Sequence, residues 1–435
     1  MQAISWEDET IMTDIAAASA TAPGAEAGLS ARDRRDFRCY LSGYGSATFG
    51  TAFTGVAVSA LAVNLFHVTG GQAGVLAAGS ALPALAVAPV AGLAAERMAR
   101  PRRILIASDL ASATVVGGCA LAVAIGAASF GWLLALVIAL GSLSAISQTL
   151  LLTHLNSLRT QSLPVTRARM QTVSYLSSLS ANAAVGPVIS AVGPAVALTA
   201  DAVCYLGSAG ALRAIAAPDR NPALEPGKAA GPFYRDIIDG FRILFRGRLR
   251  PVMAYALVAQ SAFAGIGALK ALFLLQTLRI PLYLYSLPGF CAAGLAALGS
   301  ILTSRALQAG WSPGRVAAGW WACGAAGVMI VPAATGSFSV KVIMVCVGIA
   351  VPVMCYAAAN IAVVALFSEE IPESVLGRAI AAAMVTATAA ATVGSLLGGL
   401  AADLVTVRGA LWICAAIGLA GVALLRPLMR RGSRH

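Results

Sequence analysis

Five ionisable side chains lie inside, or at the ends of, long apolar runs: Asp109, His154, Asp201, Lys270 and Asp403. A charge among apolar residues is costly and is kept mainly where it does work. A carboxylate in such a place resists ionisation and so exchanges protons readily. Asp201 is the leading residue for that role, and Asp109 is second. Asp201 falls towards the outer side of its segment, and the alternative is that it only hydrogen-bonds neighbouring helices. Asp109 lies about a turn and a half into its segment, where pairing with a nearby loop arginine would make it structural. Lys270 contacts an anionic ligand or snorkels to an interface. Asp403 is expected to cap the end of its own segment. His154 reads as an interfacial histidine.

The elements that hold these residues follow from composition. The chain has 435 residues, 59% of them hydrophobic and 11% charged. Soluble domains carry roughly 25% charged residues, so this surface must face something other than water. A helix needs about 20 apolar residues to cross a bilayer. Breaks at charges, prolines and glycine clusters predict twelve spans. They cover 40–65, 73–94, 104–127, 132–156, 170–191, 195–216, 251–276, 282–304, 315–334, 342–366, 378–402 and 408–428. The predicted fold class is an all-α polytopic membrane protein, twelve helices in two six-helix halves.

Arginine placement orients the chain. With the N-terminus inside, every second loop is cytoplasmic, and these segments hold all but four of the 30 basic residues. The exceptions are Lys270, Arg279, Lys341 and Arg408. Such a bias is the positive-inside pattern. It implies a cell inner membrane with both termini cytoplasmic. It also argues against a nucleic-acid partner despite the net charge of +12, because the charge is spread over loops rather than gathered on one face.

Residues 1–37 read as a disordered tail, 38–216 and 251–428 as the two halves, and 429–435 as a short cytoplasmic tail. The linker 217–250 includes "PFYRDIIDGFRILFRGRLR", with apolar residues on one face of an amphipathic helix expected to lie on the inner membrane surface. The eight cysteines lack C-x-x-C spacing, and no metal or cofactor is expected. Neither H-E-x-x-H nor G-x-S-x-G nor a phosphate-binding G-x-x-x-x-G-K-[ST] stretch is present, so the reading is not an enzyme.

Four stretches carry a family resemblance. "APVAGLAAERMARPRR", between the second and third spans, resembles the loop signature of the major facilitator superfamily. Gly92, Glu96, Arg97, Arg100 and Arg103 occupy its positions, with Glu for the usual Asp and the second glycine absent. "RRILIASDLASA", "ANAAVGPVISAVGPAVALTADAVCYLGSA" and "IPESVLGRAIAA" are similar to the macrolide-efflux-like, drug:proton antiporter branch. The resemblance covers about residues 36–428.

It implies that Glu96 and the arginines form a cytoplasmic conformational latch, and that Gly186 and Pro187 belong to an antiporter motif. In that motif Ser190 and Ala191 replace closing glycines. The acid often found in the first helix is replaced by Gly50-Thr51. The resemblance also implies that helices one, four, seven and ten line a central path. Tyr44, Thr51 and Thr54 are then cavity residues, as are Ser142, Ser147, Gln148 and Thr149. Gln260, Ser261, Lys270, Tyr356 and Asn360 complete the set. The expected partners are an amphipathic small-molecule substrate, protons and the bilayer, in a monomer. The implied function is proton-coupled export, with uptake, lipid movement or a non-transporting sensor as alternatives.

Overall fold

The computed structural model describes residues 30–97, 100–155, 163–217, 219, 241–247 and 249–426. Within them run twelve α-helices. In the first half these are α1 (Ala31–Asn64), α2 (Gly70–Arg97), α3 (Pro101–Ala124), α4 (Phe130–Leu155), α5 (Leu163–Val192) and α6 (Pro194–Arg213). In the second they are α7 (Leu249–Ala271), α8 (Leu287–Gln308), α9 (Pro313–Val328), α10 (Phe338–Glu370), α11 (Glu373–Leu404) and α12 (Val407–Gly421). The expected tails and most of the amphipathic linker helix lie outside the described residues.

Local chemistry sets the boundaries. Ser30 and Asp33 form a reciprocal capping box at the start of α1. Proline opens α3, α6 and α9, where its missing N–H has no partner to lose. Gly193, at φ +81, makes the break between α5 and α6 that a side chain would strain. α7 runs into a π-helical stretch, Leu272–Thr277, and Arg279 at φ 54 ends it.

Among the described residues, eleven helices are long and apolar enough to cross a membrane. Leu110 and Leu121 on α3, Val203 and Leu206 on α6, and Ile413 and Ile417 on α12 turn outward, as lipid-facing side chains do. The chain is a multi-pass membrane protein. The ninth predicted span is the one that falls short. α9 has 16 residues and gives way to tight turns such as Met329 N–H to the Ala326 carbonyl, 3.2 Å. Pro332 follows and has no N–H with which to extend a helix.

In the first half α1 packs on α5 and α6, α2 on α4, and α3 on α6. In the second α8 and α9 pack on α10, and α7 packs on α11 and α12. The halves meet chiefly through α2 with α11 and α5 with α8. Consecutive glycines of α11 serve one contact between the halves and one within the second half. A Cβ on Gly399 would lie 2.9 Å from the Gly74 Cα of α2, and one on Gly398 would lie 2.7 Å from the Gly265 Cα of α7. No side chain fits at either place, so dispersion between close backbones holds the helices together. Gly186 has the matching role in α5, with the Leu282 and Tyr283 carbonyls 3.0 Å from where its Cβ would be.

Burial divides the molecule by depth. One large core joins both halves at one end, running from Phe53 and Leu61 through Leu198 to Phe273, Val345 and Leu411. At the arginine-rich end, among the described residues, each half keeps its own core. Tyr40, Leu105, Leu150 and Leu212 belong to the first half, and Val252, Trp321, Leu366 and Phe367 to the second.

Candidate functional site

The first half holds a cavity of about 230 Å³. Its wall is rich in hydroxyls because α1, α4 and α5 turn Ser and Thr inward at helical spacing. Tyr44, Thr51, Ser147 and Gln148, named from sequence, line it with Ser112, Ser174, Ser178 and Tyr205. Ser142 and Thr149 instead bond back to their own helix, at Ile138 and Ala145. Asp109 lines the same cavity. The Ser208 hydroxyl, on α6, donates to its carboxylate at 2.6 Å. Among the described residues a hydroxyl stands in the place of the expected arginine, because Asp109 lies deeper than the loop and faces α6.

Asp201 is 1% exposed. Its Oδ2 accepts from the Thr54 hydroxyl, while its Oδ1 has no hydrogen-bond partner. The unpartnered oxygen lies against α1, where a Cβ on Gly50 would come within 2.8 Å of it. Gly50 makes room for the acid of α6. Thr54 is therefore the partner of Asp201 rather than cavity wall. One turn along α6 from Asp201, Tyr205 lines the cavity, with its hydroxyl 3.3 Å from that of Thr51.

The second half holds a cavity of the same size, about 230 Å³, with a different lining. Met253, Trp321, Tyr356, Phe367 and Met384 supply apolar surface, and Asn360 a polar group. The Tyr356 hydroxyl donates to Gln260, so two residues named from sequence meet, and the Tyr356 ring stacks on Phe263 at 6.0 Å. Ser261 bonds the Ala390 carbonyl of α11 at 2.9 Å and serves packing.

Lys270 lines neither cavity. Its ammonium sits 5.5 Å from the centroid of the Tyr285 ring, which is 2% exposed. A cation–π contact within the protein takes the place of both the anionic ligand and the expected snorkelling. Asp403 caps a different helix from the one expected. Its carboxylate accepts from the Gly71 N–H of α2 at 2.8 Å, across the boundary between the halves. A negative charge is thereby placed on a helix N-terminus.

Of the latch residues, Gly92, Glu96 and Arg97 are helical in α2, and their side chains lie outside the described residues, as does that of His154. Arg100 precedes α3 and, like Arg103, is exposed. Their neighbour Arg102 donates to the Ile215 and Ala217 carbonyls at 2.7 and 2.9 Å. Asp36 accepts from the Ala216 and Ala217 N–H groups, and Asp219 from those of Arg102 and Arg103. This clamp on the chain leaving α6 was missed from sequence. Its one signal was two acids set among arginines.

No family model matches the sequence, and no curated protein matches it. Among solved structures the chain is similar to nucleoside transporter NupG, at 12% identity over 92% of this chain and 100% of that one, with a TM-score of 0.72. A point mutant of NupG gives 10% identity, 91% and 100% coverage, and a TM-score of 0.74. A bacterial homolog to the human lysosomal transporter Spinster, in an inward-facing and unoccupied conformation, gives 16% identity, 92% and 96% coverage, and a TM-score of 0.62. These likenesses are of fold, twelve helices in two six-helix halves.

Proposed function

We propose that the chain is a secondary transporter that exports an amphipathic small molecule in exchange for protons. The observation that carries this reading is the uneven sealing of the two ends. Among the described residues, one core joins the halves at one end, whereas each half has its own core at the arginine-rich end. With the arginine-rich end inside, this pattern supports an inward-open state, and rocking about α2–α11 and α5–α8 would expose the site to the other side. The hydroxyl-rich wall suits polar groups of a substrate, and the aromatic wall suits its apolar body. Asp109 and Asp201 are the proton carriers, Asp109 in the cavity and Asp201 behind it. Glu96 and its arginines are the latch that closes the arginine-rich end. The macrolide-efflux-like sequence stretches support export, and the membrane is the cell inner membrane with both termini cytoplasmic.

A second reading, uptake of a nucleoside-like solute, is favoured by the fold likeness to a nucleoside transporter together with the hydroxyl-rich wall. Proton flux in inverted vesicles separates the two. With an acid-inside gradient, an exporter's substrates dissipate the gradient in the intact chain and fail to do so in Asp201→Asn. Labelled nucleosides that enter right-side-out vesicles without any drug-linked proton flux would overturn export. Silence of every compound in both assays, with binding intact, would make the chain a sensor.

A further inference from the structure

Where α8 hands over to α9 the surface opens into a cavity of about 620 Å³, separate from both central cavities. α8 ends at Gln308, Gly310 turns the chain at φ +81, and α9 starts at Pro313. The lining includes Trp311, Arg315, Gly319, Trp320 and Cys323, and none of the lining residues is acidic.

The order of these groups is informative. Arg315, Gly319 and Cys323 recur every four residues, so they form one stripe up α9, about 12 Å long. At the loop end of the stripe stand an exposed arginine and Trp311, which is 65% exposed. Arg305, also exposed, adds a second positive charge in the last turn of α8. The Ser312 hydroxyl at the same end accepts no capping bond from α9. Further in, the stripe is small and uncharged. A Cβ on Gly319 would meet nothing within 4 Å, so the glycine leaves a trough rather than a packed seam.

A cation and an interfacial tryptophan above an apolar trough match one chemistry, an anionic head on a hydrocarbon tail. The length of α9 supports the match. Its 16 residues span about 24 Å, short of the roughly 30 Å hydrocarbon layer, so its loop end is drawn to headgroup depth.

We infer that this trough holds one anionic phospholipid of the leaflet on the arginine-rich side, its phosphate on Arg315 and an acyl chain along Gly319 and Cys323. Charge complementarity favours a lipid with a net negative head over a zwitterionic one. The inference rests on the chain spanning a membrane and is independent of what, if anything, it transports.

Native mass spectrometry of the full chain in maltoside micelles tests it, with phosphatidylglycerol and phosphatidylcholine titrated separately. The expected result is one tightly retained phosphatidylglycerol. Arg315→Gln should weaken that binding by about tenfold or more, and Gly319→Leu, which fills the trough, should do the same. Arg315→Lys should retain most of it. Lipid-free thermal midpoints of the variants establish that they are folded, and Gly319→Leu keeps the test open if Arg315→Gln is not. Equal retention of phosphatidylcholine would overturn the inference, as would wild-type phosphatidylglycerol affinity in both weakening variants. Full displacement by millimolar inorganic phosphate would mean a site for a free anion instead. Flux assays on the same preparations report separately on transport.

Discussion

The two halves share a helix plan and hold cavities of equal size, yet they differ in chemistry. Asp36, Asp109 and Asp201 are all buried in the first half, whereas among the described residues no acid is buried in the second, whose buried polar side chains include the hydroxyls of Ser286, Thr303, Thr392 and Ser395. The first cavity presents Ser, Thr, Tyr and Gln around Asp109, and the second presents Trp, Phe, Tyr and Met. A repeated fold leaves each copy free to specialise, because packing needs only small residues at the crossings and places little demand on the cavity walls. The proposed division is that charge movement belongs to the first half, and shape and apolar contact to the second.

The sharpest break of that contrast comes from removing both acids. Asp109→Asn combined with Asp201→Asn should cut proton-driven flux by about 100-fold or more while equilibrium binding of the substrate changes less than about threefold. Vesicle proton flux beside a binding titration reads both. A large loss of binding would place the carboxylates on the substrate and undo the division. Met384→Ala should do the reverse. This exposed cavity residue contributes apolar area, so binding of apolar substrates should weaken about tenfold, with protons moved per substrate unchanged.

Asp403→Asn acts on the seal that joins the halves. Losing a charge from the α2 terminus should favour opening of the sealed end by about two- to fivefold. Labelling rates of single cysteines placed along α2 would reveal it, and no change would mean that glycine packing alone keeps the end shut. The smallest effect is expected of Tyr356→Phe. It removes the hydroxyl that bonds Gln260 and keeps the ring, so substrate KM should move by no more than about threefold. A collapse of transport there would assign polar chemistry to the second half as well.

Topology was legible because span length and arginine placement are local properties. The break at Gly193-Pro194 and the end of α7 near Arg279 and Pro281 fall where the residue types put them. Cavity residues were half legible. Polar and aromatic type on the helices that the resemblance assigns to the path singled out Tyr44, Thr51, Ser147, Gln148, Tyr356 and Asn360, which line cavities, yet it did not separate Thr54, whose neighbour is Asp201. Partners were not legible. Ser208 is 99 positions from Asp109, and nothing near Lys270 in sequence announces Tyr285 as a ring stacked beneath its ammonium. The short α9 was masked by the apolar residues after it, which count towards hydropathy although Pro332 ends helical geometry.

The clamp formed by Asp36, Arg102 and Asp219 has a mechanical consequence. It fastens the chain leaving α6 to the starts of α1 and α3, so the anchor point moves with the first half as a single body. The segment that leads on to the second half therefore departs from a fixed mooring on the first, and any pull on it during the swing is borne by Asp36, Arg102 and Asp219.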